Sequence, residues 1–343
     1  MSRPLRLRLD GDALAANWRW LAERSGRAAC GAAVKADGYG LGARAVVARL
    51  AREGCRDFFV ATYAEAVELG ALPEGCSLSV LHGPRAEDMD LAAGHVARPV
   101  INSPEQAARW RNTGRSCDAM MDTGMNRLGL RPEQAGALDG LEVDTLMSHL
   151  ACADEDSDMN VRQRDQFAAL QRGARRYSLA NSAGVCLGSD YAFDLTRPGL
   201  ALYGGVPRAE AAGCIAQVAF PEAQIVQRRR VPAGETVGYG ATWTAATDTD
   251  VAILNVGYGD GYLRSFAGIG AAEDGALPLL GRVSMDLVAI DVSRQPALRE
   301  GDWVGLDYAL PQSAAASDLS QYELLTGLGG RFVREWRDKS ATS

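Results

Sequence analysis

Lys35 is the residue in this sequence whose surroundings most suggest chemistry. It ends an apolar run (Ala28, Ala29, Cys30, Ala32, Ala33, Val34) and opens a glycine-rich segment, Lys35-Ala36-Asp37-Gly38-Tyr39-Gly40-Leu41-Gly42. The pattern predicts a buried strand that stops at a tight turn. A lysine placed there is partly withdrawn from water, which lowers its pKa and frees the amine to attack a carbonyl. Taken alone, a lysine before a loop is more often a solvated charge on a buried stem. Two later segments shift that balance. Asn181-Ser182-Ala183-Gly184 and Arg197-Pro198-Gly199-Leu200 each combine small residues with polar side chains just after an apolar stretch. Loops of that kind suit a phosphate. A reactive lysine together with phosphate-binding loops points to a phosphorylated aldehyde held as a Schiff base, and pyridoxal phosphate fits that description.

These residues need a scaffold that gathers strand ends. Leu5, Leu7 and Leu9 alternate with Arg6 and Arg8, the period of a half-buried strand, and Asp10 can cap a helix over 13–24. Apolar strands are expected near 58–61, 78–81, 100–101, 119–121, 146–150, 177–180 and 200–203. Helical segments alternate with them, at 43–53, 64–69, after Pro104, after Pro132 and over 162–171. With the Lys35 strand this makes eight strand–helix units, which predicts the α/β class and an N-terminal (β/α)8 TIM-type barrel. Barrel enzymes work at the C-terminal ends of their strands, where Lys35, Asp122-Thr123-Gly124, His149, Asn181-Ser182 and Arg197 all fall. After about Phe220 helical periodicity fades. Short strands near 224–227, 236–239, 251–256, 279–283, 287–292 and 303–308 predict a mostly-β C-terminal domain. The expected division is a cofactor-binding barrel over 10–220 and a β domain over 221–343, with residues 1–9 joining the latter as a strand.

Bulk properties narrow the partners. The 343 residues carry a net charge of −7, which disfavours nucleic acid and leaves small molecules, and Arg228-Arg229-Arg230 reads as a solvated strand end. Seven unpatterned cysteines suggest reduced thiols in the cytoplasm, and three histidines make a histidine-rich metal site improbable. The polar N-terminus does not read as a signal peptide, and no apolar run approaches membrane-spanning length.

Eight segments in order carry a resemblance: residues 33–42 (AVKADGYGLG), 122–129 (DTGMNRLG), 149–155 (HLACADE), 180–183 (ANSA), 197–204 (RPGLALYG), 237–243 (VGYGATW), 257–264 (GYGDGYLR) and 281–286 (GRVSMD). Together they resemble the alanine racemase family of fold-type III pyridoxal-phosphate enzymes. The resemblance implies that Lys35 holds the cofactor covalently and is one of two catalytic bases. It implies that Tyr239, from the other subunit of a head-to-tail homodimer, is the second. Tyr39, Ser182 and the backbone at Gly199 and Leu200 would bind the cofactor phosphate. Arg197 would face the pyridine nitrogen, with His149 lining the site and orienting Arg197. Arg127 and the Met285 backbone would bind the substrate carboxylate, and Tyr258 would line the site. The implied reaction interconverts L-alanine and D-alanine, feeding cell-wall synthesis or catabolism. The rivals are a racemase accepting serine or larger side chains, a non-catalytic pyridoxal-phosphate carrier and, more remotely, a decarboxylase of the same fold type. Three positions depart from the pattern. Met120 stands where many members carry a carbamylated lysine, Ser178 where a histidine is common, and Gly329-Gly330-Arg331 near the place of a phosphate-binding tyrosine.

Overall fold

A computed structural model describes residues 3–170 and 173–338. They form two compact units. Ala13–Ala216 is one, and the other joins the N-terminal stretch, to Asp12, with everything from Gln217 onwards.

The chain begins with β1 (Leu5–Asp10), in which Leu5, Leu7 and Leu9 are buried and the intervening arginines half-buried. Helix α1 (Gly11–Arg24) leads into β2 (Ala29–Cys30) and β3 (Ala32–Ala33), two halves of one strand broken at Gly31. A Cβ at Gly31 would lie 2.7 Å from the Asp57 carbonyl and 3.0 Å from the Phe59 ring, so only glycine fits between the neighbouring strands. The parallel strands β4 (Asp57–Val60), β5 (Ser77–Val80), β6 (Arg98–Ile101), β7 (Cys117–Met120), β8 (Val143–Met147) and β9 (Arg176–Ser178) follow in sequence order beside β3. β10 (Leu195–Thr196) pairs with β2. Directly before it, the Asp194 amide donates to the Tyr177 carbonyl of β9 at 2.9 Å. The sheet therefore closes into an eight-stranded parallel barrel. Phe59, Val100, Met120, Met147 and Leu195 fill its interior.

At the N-terminal ends of these strands the packing is ionic. Arg176 spans Asp57 (2.8 and 3.1 Å) and Asp144 (3.0 Å), while Arg98 spans Asp118 (3.2 Å) and Asp144 (3.3 Å). Asp118 is fully buried and accepts further bonds from Ser79 and the Thr145 amide.

In the second unit β11 (Ala219–Val231) is the long central strand. Its first half pairs antiparallel with β1 and its second half with β14 (Thr249–Leu254), across an irregularity between Ile225 and Gln227. β12 (Thr236–Val237) and β13 (Trp243–Thr244) form a hairpin between them. The sheet continues through β15 (Ala271–Ala272), β16 (Leu277–Leu280) and β17 (Val288–Asp291), and β18 (Trp303–Gly305) pairs with β11. β19 (Val333–Arg337) lies parallel to β1.

Several expected elements differ. Residues 200–203 are a single 3-10 turn, Leu200–Tyr203, and the last barrel strand ends before Arg197. All four residues are buried, and a short buried run carries no periodicity to separate turn from strand. The strand expected over 236–239 stops at Val237, because Gly238 and Gly240 take positive φ and turn the chain. The second unit also contains helices Leu310–Ser317 and Gln321–Gly327. The second starts with a Ser320–Glu323 capping box that the mostly-β reading passed over. Of the helix expected over 162–171, the structure shows Asp158–Ala169, and Gln171 lies outside the described residues, as do residues 1, 2 and 339–343 of the expected β domain. No helix among the described residues is long and apolar enough to cross a membrane.

Removing the bridging cation should cost more than removing any surface pair. Arg176→Met leaves the Asp57 and Asp144 carboxylates in a low-dielectric layer with less compensation. The expected loss is about 3 kcal/mol of unfolding free energy, read by urea denaturation of the wild type and variant.

Candidate active site

Lys35 stands directly after β3. The Ala33 amide donates to the Pro198 carbonyl at 2.9 Å and the Val34 amide to the Phe59 carbonyl at 2.8 Å, so the strand end is fixed on both sides. The chain then turns the wrong way. Ala36 (φ 53°), Asp37 (φ 52°), Gly38 (φ 63°) and Tyr39 (φ 55°) are all left-handed. For the three residues with a Cβ that conformation costs about 1–2 kcal/mol each, so the surroundings must enforce it. The Gly40 amide bonds to the Ala36 carbonyl (2.8 Å), the Gly42 amide to Asp37 O (2.8 Å), and the Asp37 carboxylate accepts the Ala43 amide (2.8 Å). From outside the turn, the Glu65 carboxylate accepts the Ala36 amide at 3.1 Å. Burial lowers the pKa of the Lys35 amine, Arg127 pushes it the same way, and Glu65 opposes them.

The same turn delivers Tyr39. Its ring stacks on buried Tyr203 (centroids 4.6 Å apart), whose hydroxyl donates to the Ala33 carbonyl at 2.8 Å. The Tyr39 hydroxyl meets Gly199, where an added Cβ would lie only 2.2 Å from the oxygen. The Gly199 amide in turn donates to the Ser182 hydroxyl (2.9 Å), as does the Ala201 amide (3.2 Å). With its lone pairs so used, the Ser182 hydroxyl keeps its own proton for donation. Tyr39, Ser182, Gly199 and Leu200 thus come together from three separate loops at one end of the barrel.

Arg197 is 6 % exposed. Its guanidinium donates to the Ser178 hydroxyl and to the Ser148 carbonyl (2.6 Å), not to His149. The orienting role expected of His149 is therefore taken by Ser178 and the Ser148 backbone. A hydroxyl and a carbonyl suffice because the arginine keeps its charge: burial draws its pKa down only to about 10, and the distant Asp118 carboxylate holds it up. His149 is pushed down to about 3, first by burial and then by Arg197, Arg127 and Lys35, so its imidazole is neutral near pH 7. Buried Gln163 ties this loop together. It donates to the His149 carbonyl (3.0 Å) and to Thr123 (3.2 Å), and accepts the Ala151 amide (2.9 Å). Thr123 and Ser148 share a hydrogen bond of 2.7 Å. Sequence reasoning missed Gln163 and Ser148, whose partners are distant in the chain.

Arg127 lies on an exposed loop closed by the Asp122 carboxylate, which accepts the Gly124 (2.9 Å) and Asn126 (3.1 Å) amides. Among the described residues it forms no ion pair or hydrogen bond. Met120, in the place of the lysine common in the resembling family, packs in the barrel core and offers Arg127 no charge.

In the second unit Tyr239 sits at the tip of the β12–β13 hairpin and is 70 % exposed. Gly240 lets the tip approach the Arg282 guanidinium, which an added Cβ would meet at 3.3 Å. Tyr258 and Met285 lie on two loops locked together. The Tyr258 amide donates to Ser284 O (3.0 Å) and the Gly259 amide to Met285 O (2.9 Å). A Cβ on Gly257 would lie 2.3 Å from the Ser284 carbonyl. Arg331, unassigned from sequence, clips the two loops by pairing with Asp260 and with Asp286, each at 2.6 Å. Arg264 covers the Tyr258 ring (4.9 Å).

The barrel residues fit a phosphorylated pyridine aldehyde. Lys35 supplies a desolvated amine, and Arg197 supplies a buried cation whose hydrogen bonds go to neutral acceptors. Gly199 leaves room beside the Tyr39 and Ser182 hydroxyls that any Cβ would fill.

Known proteins share both units. Residues 9–207 match the family described as "Alanine racemase, N-terminal domain", and residues 218–336 match "Alanine racemase, C-terminal domain". A protein named alanine racemase from Acidiphilium cryptum is 42% identical over 351 residues, which cover 96% of this chain and 97% of that one. A crystal structure of alanine racemase from Bartonella henselae with covalently bound pyridoxal phosphate superposes with a TM-score of 0.88 at 31% identity, covering 98% of this chain and 100% of that one. A biosynthetic alanine racemase from Pseudomonas aeruginosa superposes with a TM-score of 0.86 at 33% identity, over 98% and 100% of the two chains.

Gly199→Ala should be specifically harmful to the cradle. Its methyl group collides with the Tyr39 hydroxyl, and the expected result is at least about a tenfold weaker grip on pyridoxal phosphate, an effect of about 1.4 kcal/mol. Fluorescence titration of the apo-protein with the cofactor measures it, and melting curves report any loss of fold.

Proposed function

We propose, from the premise that this chain belongs to the alanine racemase family and interconverts the enantiomers of alanine with pyridoxal phosphate, that Lys35 and Tyr239 are its two bases. They act on opposite faces of the substrate α-carbon. The observation that carries the reading is the pairing of opposite properties. Lys35 is a half-buried amine at the barrel mouth whose pKa is drawn down, and Tyr239 is a tyrosine left 70 % exposed at a hairpin tip. A tyrosine so presented suits insertion into a second copy. The functional unit is then a head-to-tail homodimer in which Tyr239 of the partner subunit works opposite Lys35.

When bound, pyridoxal phosphate supplies the electron sink that makes the α-hydrogen of an amino acid acidic. Lys35 removes or returns that proton on one face, its lowered pKa making the neutral amine accessible. Tyr239 does the reverse on the other face. Tyr39, Ser182 and the backbone at Gly199 and Leu200 would hold the phosphate, the Gly199 amide acting through the Ser182 hydroxyl to which it donates. Arg197 would face the pyridine nitrogen and donate to it without surrendering a proton, since a guanidinium stays charged. That limits electron withdrawal by the ring and favours simple proton return over transamination. Neutral His149 lines the ring without adding a second positive charge there. Arg127 would grip the substrate carboxylate with its fork of donors, and the resemblance gives the Met285 backbone a share in that carboxylate and Tyr258 a place in the lining. With Met120 apolar, position 120 offers Arg127 no charged brace.

A broader-specificity racemase is the second reading, because the barrel mouth fixes the cofactor and the carboxylate but not the side chain. A non-catalytic carrier is disfavoured by the match to both domains of the family. Seven free thiols support a reducing, cytoplasmic setting.

Lys35→Ala and Tyr239→Phe homodimers should each lose about two to four orders of magnitude in kcat, as expected when an acid–base group is removed. Mixing the two and allowing subunits to exchange should restore about a quarter of wild-type activity. Half the dimers become mixed, and each mixed dimer carries one intact site of two. Confirmed mixed dimers with no recovered activity would refute a shared site. Exchange rates for L-alanine, L-serine and L-lysine decide the substrate range, with alanine expected to lead.

A further inference from the structure

Glu65 has no part in the proton transfers, yet it is tied to the base that performs them. It is the third residue of helix Tyr63–Leu69, whose N-cap Thr62 accepts the Glu65 amide at 3.2 Å. One carboxylate oxygen reaches back past the cap and accepts the Ala61 amide, one residue before Thr62, at 2.7 Å. The other turns away from its own helix and accepts the Ala36 amide at 3.1 Å. The first bond serves the entry to its own helix and the second does not. Ala36 directly follows Lys35 and is the first of the left-handed residues. A single side chain therefore connects the end of β4 to the bend that aims the amine.

We propose that Glu65 is a positioning residue for the catalytic lysine, pinning the left-handed turn through the Ala36 amide and keeping a negative charge within electrostatic reach of the Lys35 nitrogen. The proposal rests on the reading of Lys35 as the catalytic amine. The charges that face Lys35 come from three elements. Arg127 stands on the loop after β7, Glu65 on the helix after β4, and His149, neutral, on the loop after β8. Arg127 works against protonation of the amine and Glu65 for it. Replacing the carboxylate by an amide leaves the lysine facing a cation alone and removes one of the two acceptor oxygens, so the Ala36 and Ala61 amides can no longer both be held by this side chain.

The test compares wild type with Glu65→Gln, Glu65→Asp and Thr62→Ala, each loaded with pyridoxal phosphate. The visible absorbance of the bound cofactor is followed against pH, together with kcat and KM for L-alanine and the melting temperature. Glu65→Gln should move the absorbance midpoint to lower pH and reduce kcat about tenfold to a hundredfold, the scale expected when a reacting group is slightly misplaced. KM should change less than kcat. Glu65→Asp keeps the charge but shortens the reach, so its midpoint should stay near wild type while kcat falls. It also carries the test if the glutamine variant does not fold. Thr62→Ala removes the side-chain cap of the same helix and should lower only the melting temperature. The proposal is overturned if Glu65→Gln keeps the wild-type midpoint and kcat, or if Thr62→Ala reproduces its kinetic defect, since Glu65 would then serve only its own helix. A wild-type protein that takes up no pyridoxal phosphate would instead sink the reading of the whole site.

Discussion

The site depends on a left-handed bend made of residues that avoid it. Ala36, Asp37 and Tyr39 carry Cβ atoms and still take positive φ, so the bend survives only because its neighbours saturate it with hydrogen bonds. From it Lys35 and Tyr39, four residues apart, acquire their separate tasks. A right-handed turn would point both side chains elsewhere. The glycines of the motif relieve crowding at Gly38, where an added Cβ would sit 3.1 Å from Ala43, and end the turn at Gly40 and Gly42.

Around this bend the charges are arranged by subtraction. Among the described residues Arg197 and Arg127 pair with no carboxylate, and burial first, then these cations, draw down the pKa values of Lys35 and His149. The serine at 178 and the methionine at 120 belong to the same economy. Ser178 orients a guanidinium without adding charge, and Met120 belongs to the apolar filling of the barrel. The result is a mouth whose positive potential is unspent until an anionic cofactor and a carboxylate substrate arrive.

Much of this was legible in the chain. An apolar run ending in a lysine among glycines announces a strand end, and alternation of strands with helices announces a barrel. Leu200–Tyr203 misled because a buried 3-10 turn and a buried strand have the same composition. Tyr239 looked like a strand residue until the positive φ of Gly238 and Gly240 showed a hairpin tip. Glu65 was visible as the fourth residue of a Thr-x-x-Glu cap, but its bond to Ala36 spans 29 positions and has no local signature. Gln163 and Arg331 were hidden for the same reason. Their roles lie in which loops they join, and that depends on tertiary closure.

The ionic layer at the opposite end of the barrel gives the fold a division of labour with an evolutionary reading. Asp57, Arg98, Asp118, Asp144 and Arg176 lie at or near the N-terminal ends of their strands, whereas Lys35, His149, Ser182 and Arg197 follow C-terminal ends. Substitutions in the loops that carry the proposed site therefore fall outside the ionic layer. Changes confined to those loops can be absorbed while the fold stays above its stability threshold. The same separation lets a stable scaffold drift toward new amino-acid substrates one loop at a time.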